Sequence, residues 1–591
     1  MDFRHPYLTR QLIAYIGNKR ALLPFLEPVF SELAGRAPVR RFVDPFAGSG
    51  AVSRLGKLMG YEVHAADLEH YAWVLNAATL ETQAREAYGD TAHVDSANGD
   101  SSNGGAPARL FREDGGIDAA FARFHRIGAR AAESGSDVSP PRGAGSVGSG
   151  GYIARHYAPA RTDTADYRRE RVFYTAENAR YLDAVREAIE LEYPGWDLAP
   201  ERRREKFLLL AALLYEASRH ANTSGVFKAY HKGFGGHGGD ALGRIMSPMQ
   251  LEVPPLVDGP DCTVAEEDAT GFLTRTPADI VYLDPPYNSH QYGSNYFMLN
   301  TIARWDRPPV ADERRADGSL TVKAGIRPDW RRTRSDFCSR SRAPEAFRRL
   351  LDAVDARFIV LSYSSDGIVP LEHIMDLLSG RGRVELFATD YTSYRGGRQS
   401  IRRATAHVEF ALAVTTGVEP DGAARGNLSR FLLRREVAAL LRDSYVPERV
   451  RSVCDVAAAD AGIVVAPGRV LSMVHLHRFA ETDAALADLP AESLRRLREG
   501  LESARCATRQ EEARVLIELL RDGDLSAPER RDYRTRLLRA LRKYAYGKYE
   551  REFEETARAV EAACLSNPDA FDGVDVGVRE LRELARKRRL G

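Results

Sequence analysis

A chain of 591 residues is too long for one hydrophobic core, so we predict about three domains of roughly 100–200 residues each. With 44% hydrophobic and 28% charged residues, no secretory signal pattern in residues 1–19 and no apolar run of about 18 residues, the composition excludes a membrane protein and predicts a cytoplasmic one. A net charge of +1 excludes a uniformly basic nucleic-acid binder, and five scattered cysteines without CxxC pairs exclude a disulfide framework and a zinc site.

The first predicted βαβ unit lies near the N-terminus. A strand ends at Asp44, a small-residue turn reaches Gly50, a helix follows, and a second strand ends at Asp67. Such a turn lets a ligand approach the backbone and the helix N-terminus, and an acid at the second strand end suits a ribose hydroxyl. The turn has neither the Gly-Lys-Ser/Thr of a P-loop nor a full GxGxxG. The acid at Asp44 instead suits a cationic ligand head, such as the amino and sulfonium groups of S-adenosylmethionine.

The next segment changes composition twice. Residues 91–151 are rich in Ser, Gly, Asp and Ala, which predicts a largely disordered insertion around one short helix at 117–132. From residue 152 the chain is basic again, and apolar spacing predicts helices over about 175–192 and 201–221.

A second motif follows the apolar run Ile280–Leu283, which reads as a short buried strand. Two prolines in Asp284-Pro-Pro-Tyr287 end that strand and leave a stiff loop at the edge where open α/β sheets bind ligands. The Asp284 carboxylate and the Pro285 carbonyl provide two acceptors for the N–H bonds of an exocyclic amine. The Tyr287 ring can stack on a flipped base. This pattern favours methyl transfer to a base amine.

Downstream of this motif, helices and strands continue to alternate up to about residue 415, which predicts a Rossmann-like, doubly wound α/β sheet. Residues 420–591 are mostly helical patterns dense in Arg and Glu. We therefore predict a separate, mostly α-helical C-terminal domain, whose role the sequence does not identify and in which we find no nuclease signature.

Three motifs in this order carry a resemblance to a known family: Tyr15-Ile-Gly-Asn-Lys-Arg20, Asp44-Pro-Phe-Ala-Gly-Ser-Gly50 and Asp284-Pro-Pro-Tyr-Asn-Ser-His-Gln-Tyr292. Residues 10–415 resemble the D12-class, Dam-like DNA adenine-N6 methyltransferases of the α group. The resemblance implies a methyltransferase domain over 10–90 and 263–418 that binds S-adenosylmethionine. It also implies a target-recognition region at 152–262, double-stranded DNA as substrate and no need for a metal.

The resemblance assigns roles residue by residue. It implies catalytic roles for Asp284, Pro285, Pro286 and Tyr287. It implies cofactor binding by Tyr15, Gly17, Asn18, Lys19, Asp44, Phe46, Gly48, Ser49, Gly50, Asp67 and Asp268. The chain departs from the family in having Gly17-Asn18-Lys19 where Gly-Gly-Lys is usual, and in carrying the insertion and the C-terminal domain.

DNA contacts are expected from polar and basic side chains near the catalytic motif. A basic loop at 323–342 carries seven Lys or Arg against two acids and is our main candidate for phosphate contacts. The candidates are Asn288, Tyr292, Lys228, Lys323, Arg327, Arg331, Arg332 and Arg334. A second basic group, Arg395, Arg398, Arg402 and Arg403, flanks a predicted hairpin.

The expected function is site-specific methylation of adenine N6 in a restriction–modification or phage-defence setting. Three alternatives stay open. Cytosine N4 methylation uses the same geometry, and RNA is an alternative polymer. In the third alternative, the chain is a DNA-binding specificity subunit, and its residues 420–591 dock a restriction or defence partner.

Overall fold

The computed structural model describes residues 1–89, 108–134, 151–236, 239–392, 408–480 and 483–590. Within these ranges the chain divides into two compact units, Met1–Arg425 (unit 1) and Gly426–Gly591 (unit 2). This division falls shortly after the composition change at residues 418–420.

Unit 1 is built on a seven-stranded sheet with the order β3-β2-β1-β4-β5-β7-β6. The strands are β1 (Arg41–Asp44), β2 (Glu62–Asp67), β3 (Thr263–Glu266), β4 (Ala278–Leu283), β5 (Ala356–Ser364), β6 (Gly382–Thr392) and β7 (Val408–Thr416). The pairs from β3 to β5 are parallel, and β7 runs antiparallel to both β5 and β6. The predicted Rossmann-like, doubly wound fold is therefore confirmed.

The topology places two predicted motifs side by side. The chain leaves β1 toward β2 on one side, whereas β4 pairs with β1 on the other side, with Phe42 opposite Ile280. Such a switch in strand order opens a crevice at the carboxyl ends of the strands. Asp44 and Asp284 end these two neighbouring strands, so the crevice opens between them.

Helices cover both faces of the sheet, because each strand presents apolar side chains to both sides. One buried cluster packs the helices 23–36 and 51–58 against β1, β2 and β4. The other packs the helices 70–80, 117–133, 176–192, 200–219 and 297–304 together. The remaining helices of unit 1 are Pro6–Thr9, Ala84–Tyr88, Tyr152–Tyr157, Leu242–Met246, Ala269–Leu273, Tyr292–Asn295, Ala343–Asp352 and Leu371–Ser379.

The predicted insertion contains an integrated helix. A helix spans Ile117–Glu133, close to the expected bounds, and buries Phe121 and Phe124 in the core of unit 1. Gly128 lets it approach its neighbour, since an added Cβ would lie 2.5 Å from the ring of Tyr181. Residues 108–134 are thus part of the folded core. The rest of the segment expected to be disordered, 90–107 and 135–150, lies outside the described residues.

Unit 2 is mostly helical, as predicted, with a small antiparallel sheet that the sequence did not indicate. Its strands are β8 (Gly462–Ala466), β9 (Arg469–Val474) and β10 (Arg478–Phe479), in the order β10-β9-β8. Its helices are Pro447–Val453, Ala491–Ala504, Arg509–Asp522, Ala527–Arg542, Glu550–Ser566 and Val574–Leu590. A further helix, Ala423–Leu440, contains the boundary between the units. In the described part of the chain, no helix has the length and apolarity needed to span a bilayer.

Replacement of Phe124 by Ala tests whether the helix 117–133 belongs to the core. Because Phe124 is fully buried, we expect the free energy of unfolding of unit 1 to fall by about 3–5 kcal/mol. Arg126→Ala on the exposed face of the same helix is the matched control, with an expected change within about 0.5 kcal/mol. All four tryptophans lie in unit 1, so urea unfolding followed by tryptophan fluorescence reports this unit selectively. Equal midpoints for the two variants would contradict the packing.

Candidate active site

A cavity of about 440 Å³ lies at the carboxyl ends of β1, β2, β3 and β4. This size is in the range of small-molecule sites. Nine of the predicted catalytic and cofactor-binding residues contribute to its wall: Tyr15, Gly17, Phe46, Asp67, Asp268, Asp284, Pro285, Pro286 and Tyr287. The crevice predicted from strand topology is therefore a cavity, and residues of both motifs contribute to its wall.

Pro45 and Phe46 of the glycine-rich loop line the cavity, whereas Gly48, Ser49 and Gly50 of the same loop lie outside its wall. Gly48 and Gly50 have φ of +51° and +80°, a backbone conformation that favours glycine. An added Cβ on Gly48 would lie 2.9 Å from the Tyr15 ring, and one on Gly50 would lie 2.5 Å from Oδ1 of Asn76. Both glycines and Ser49 are buried behind the wall. They let Tyr15 and the loop approach each other.

Asp44 is turned inward. Its carboxylate accepts a 2.6 Å hydrogen bond from the Ser53 hydroxyl and a 3.3 Å bond from the Phe46 amide. Burial, opposed by these hydrogen bonds and assisted by the charge of Asp284, raises the pKa of Asp44 to about 7. Asp44 thus anchors the loop from behind.

Asp67 and Asp268, two of the predicted cofactor-binding acids, line the cavity. Asp67 accepts hydrogen bonds from the amides of Gly48 (2.8 Å) and Glu69 (2.9 Å), while burial raises its pKa to about 6. Asp268 caps the helix 269–273 through the amides of Thr270 and Gly271. Both side chains are thereby fixed at the ends of β2 and β3.

The N-terminal motif is pinned by aromatic side chains of the segment after the catalytic loop. Tyr15 stacks on Tyr296 with ring centroids 5.0 Å apart. The Ile16 amide donates to the Tyr296 hydroxyl at 2.7 Å, and the Tyr292 hydroxyl donates to the Ile16 carbonyl at 3.1 Å. Asn18 does not line the cavity but caps the turn that begins at Lys19. Tyr292, expected to contact DNA, thus has a structural partner.

Lys19 is the cation of a buried charge cluster that we call the Lys19 network. Its ammonium lies 3.0 Å from Asp284 Oδ1, 3.3 Å from Glu409 Oε2 and 5.2 Å from the centre of the Tyr287 ring. The Tyr287 hydroxyl donates to Glu409 Oε1 at 3.1 Å. Burial disfavours the charged ammonium, but Asp284, Tyr287 and Glu409 hold the pKa of Lys19 well above its usual value.

The charges of the Lys19 network influence the ionisation of Asp284. Burial raises the pKa of Asp284 to about 6, with Lys19 opposing the rise and Glu409 adding to it. The carboxylate is therefore ionised near neutral pH, with one oxygen held by Lys19. Lys19 was expected to bind the cofactor, but it is 4% exposed and does not line the cavity. Its ammonium contacts Asp284, and its role toward the cofactor stays a prediction.

Sequence reasoning missed two buried acids at the site. Glu409 lies on β7, far along the chain from both motifs, and interrupts an apolar strand at Val408-Glu-Phe-Ala-Leu. An acid within a buried strand is the signal that could have flagged it. Glu69 lines the cavity next to Asp67, accepts a 2.5 Å hydrogen bond from Asn300, and has its pKa raised to about 7 by burial.

Part of the basic loop forms a wall of the cavity. The Gln291 side chain bonds the Ser335 backbone twice, at 2.9 and 3.1 Å, and the Cys338 thiol donates to the His290 carbonyl. Phe337 packs edge-on against Phe46 at 5.5 Å. These contacts join the basic loop to the catalytic loop and bring Thr333, Arg334, Ser335 and Phe337 to the cavity.

The predicted DNA-contact arginines of the basic loop differ in exposure and in ion pairing. Arg331, Arg332 and Arg334 are exposed and form no ion pair with a described residue. Arg327 is 4% exposed and pairs with both Asp306 and Asp329, so it is a buried structural cation and its expected role is corrected.

The remaining predicted DNA contacts lie outside the part of the basic loop that forms the cavity wall. Lys228 is exposed and close enough to Cys338 to influence its pKa electrostatically. Lys323 lies over the Tyr167 ring, and the Asn288 side chain accepts a hydrogen bond from the His290 amide. Arg395, Arg398, Arg402 and Arg403 lie outside the described residues.

Comparison with known proteins agrees with this geometry. The model of the D12 class N6 adenine-specific DNA methyltransferases matches residues 15–104 and 155–314. The type II methyltransferase M.NlaIII of Neisseria lactamica is 29% identical over 398 residues, which cover 67% of this chain and 96% of that protein. No solved structure matches the chain significantly.

Two further relatives align over smaller shares of their own length. Modification methylase StsI of Streptococcus sanguinis is 26% identical over 386 residues, 64% of this chain and 48% of that protein. The type II methyltransferase M.CviAII of Paramecium bursaria Chlorella virus 1 is 30% identical over 252 residues, 42% of this chain and 64% of that protein. The family match lies wholly within unit 1.

Replacement of Gly50 by Ala tests the packing of the glycine-rich loop. The left-handed backbone and the clash with Asn76 together predict a loss of about 2–5 kcal/mol in the stability of unit 1. Gly60→Ala is the matched control, because Gly60 has a similar φ of +85° with no atom within 4 Å of an added Cβ, so only about 1–2 kcal/mol is expected. Urea unfolding monitored by tryptophan fluorescence measures both, and equal losses would show that the clash is absent.

Proposed function

We propose that the chain methylates the N6 amine of a flipped-out adenine at a specific DNA site, with S-adenosylmethionine as donor, because residues 15–104 and 155–314 match the model of the D12 class of N6 adenine-specific DNA methyltransferases. Its named relatives are type II methyltransferases and modification methylases, which supports a restriction–modification setting. The single observation that carries the proposal is the cavity with the glycine-rich loop behind one end and Asp284–Tyr287 at the other.

The cavity fits the proposed donor by the chemistry of its wall. Asp67 is positioned to accept hydrogen bonds from ribose hydroxyls, and Asp268 from an adenine amine. Phe46 and Phe337 provide apolar surface for a purine ring. The bound donor would supply an electrophilic methyl group on a sulfonium. Tyr15 and Gly17 close the cavity on the side of Asp284 and Tyr287.

The chain's own residues solve the problem that an exocyclic amine is a weak nucleophile. The free oxygen of Asp284 and the Pro285 carbonyl accept its two N–H bonds, which aims the nitrogen lone pair along one direction. Tyr287 holds the base plane by stacking, and its own ring is fixed by the bond to Glu409 and by an edge contact with Tyr363. Two prolines keep the carbonyl direction rigid.

Methyl transfer to the amine also requires that Asp284 be ionised, and the Lys19 network favours this state. A protonated Asp284 would present a donor to the amine in place of an acceptor. Lys19 favours ionisation of Asp284, whereas Glu409 opposes it and keeps Lys19 charged and in place. We assign Lys19 and Glu409 as positioning residues that act through Asp284.

Expression in a methylation-free bacterial host tests the function directly. Long-read sequencing of the host DNA should show N6-methyladenine at one recurrent sequence with the wild-type chain and none with Asp284→Asn. The Asp284→Asn variant should still bind S-adenosylmethionine nearly as the wild type does in calorimetry. Asp67→Asn, the matched change at the other end of the cavity, should weaken that binding about tenfold or more, since hydrogen bonds to a charged group are lost. N4-methylcytosine in the sequenced DNA would overturn the assignment of the base.

The pH dependence of kcat/KM tests the Lys19 network. Because the carboxylate form of Asp284 accepts the amine, activity should rise with pH through about 6 and then level off. Glu409→Gln removes a charge that raises the pKa of Asp284, so this limb should move to lower pH. Lys19→Met removes the charge that lowers it, so the limb should move to higher pH. Methyl incorporation into DNA between pH 5 and 9 measures all three. Limbs that coincide in the three proteins would leave Lys19 and Glu409 with a packing role only.

A further inference from the structure

We propose that unit 2 binds the phosphate backbone of duplex DNA through a basic face on its helix Ala527–Arg542, next to the C-terminal end of the last helix. The inference rests on the proposed function only in taking duplex DNA as the substrate of the chain. Neither the family match nor the mechanism above involves unit 2.

The face is a row of exposed cations, which we call the basic row. Arg531, Arg539, Arg542 and Lys543 are all exposed, and Thr535 lies between them on the same side. The opposite side of the helix is buried against the core of unit 2 through Tyr533, Leu537 and Leu541. At 1.5 Å per residue the basic row spans about 18 Å.

The cations of the basic row have no acidic counterparts in the described part of the chain. Arg531, Arg539, Arg542 and Lys543 form no ion pair with any described residue. The one acid of this helix beside the row, Asp532, is already paired with Arg478 and Arg536. Four other exposed arginines of unit 2 are paired instead: Arg451, Arg495, Arg496 and Arg521 each lie within 4 Å of a carboxylate.

Helix stability alone explains only part of the basic row. Cations in the last turn of a helix interact favourably with its dipole, which accounts for Arg539, Arg542 and Lys543. Arg531 lies at the opposite end, in the second turn, where the dipole offers no such gain. A row that extends from the second turn of the helix to its C-terminal end is better explained by an extended anion.

The last helix, Val574–Leu590, adds charge at the end of the row. Arg588 donates to the Ala545 carbonyl at 3.1 Å, and its guanidinium lies 4.2 Å from the ring centre of Tyr546. Exposed Arg586 and Lys587 precede it, with exposed Glu583 the nearby acid on the same helix. Tyr546 is itself 48% exposed, so an aromatic ring lies among the cations.

Duplex DNA fits this surface by charge and by length. It carries one negative charge per about 1.7 Å of axis, so a row of about 18 Å can meet several phosphates. A row of arginine and lysine tips without a pocket suits backbone contacts, which position a protein on DNA without reading sequence. The basic row would therefore add affinity that is independent of the target site.

The test compares two quadruple variants of the full chain. The row variant carries Arg531→Ala, Arg539→Ala, Arg542→Ala and Lys543→Ala. The control variant carries Arg451→Ala, Arg495→Ala, Arg496→Ala and Arg521→Ala, which changes four exposed arginines that are paired with acids. Both lose four positive charges. Fluorescence anisotropy with a labelled duplex measures the dissociation constant from 50 to 300 mM NaCl.

For the row variant we expect the slope of log K against log salt to shrink by about three to four, and binding near 100 mM salt to weaken about 10- to 100-fold. The loss should be equal for unrelated duplex sequences, and kcat at saturating DNA should be unchanged. A variant with Arg531→Lys, Arg539→Lys and Arg542→Lys keeps the charge and should retain the wild-type slope. This result would show that the row variant binds more weakly because it lost charge and not because it misfolds. Equal slopes for the row and control variants would overturn the proposal and leave an acidic protein partner as the occupant. Fluorescence anisotropy measures DNA binding without methyl transfer. A failure of the proposed methyl transfer is therefore distinguishable from a failure of the proposed DNA binding by unit 2.

Discussion

A buried ammonium between two carboxylates is the interaction on which the site depends. Lys19 comes from the N-terminal motif, Asp284 from the end of β4 and Glu409 from β7, so one charge cluster ties together three distant parts of unit 1. Burial and the charge of Glu409 both raise the pKa of Asp284, whereas Lys19 lowers it. The cation thus favours the ionised form of the Asp284 carboxylate.

The other walls of the cavity are also held in place by contacts from distant parts of the chain. Backbone amides of the glycine-rich loop and of Glu69 hold Asp67, and the tyrosines that follow the catalytic loop hold the N-terminal motif. Gln291 and Cys338 attach the basic loop to the catalytic loop. Each wall is thus supported by an element other than its own, which is how a site on loops gains the rigidity that methyl transfer requires.

Burial and pairing also distinguish exposed cations without an ion-pair partner among the described residues from cations that stabilise the fold. Arg327 and Arg331 are four residues apart in the basic loop and look alike in sequence. Arg327 is enclosed between two aspartates, whereas Arg331 is exposed without an ion-pair partner among the described residues. The basic row of unit 2 shows the same contrast with the paired arginines around it. Composition does not distinguish these roles, because it records charge without position.

The sequence by itself determined the elements and chemistry that arise from short-range patterns. The alternation of strands and helices predicted the doubly wound sheet, and the glycine turn and the two prolines marked the strand ends where Asp44 and Asp284 lie. Only the tertiary structure decided which distant charges meet. Glu409 enters the site because β7 pairs with β5 beside β4, and Lys19 turns to Asp284 because the tyrosines pin its segment. Such pairings depend on strand order and side-chain packing, which local spacing along the chain does not encode.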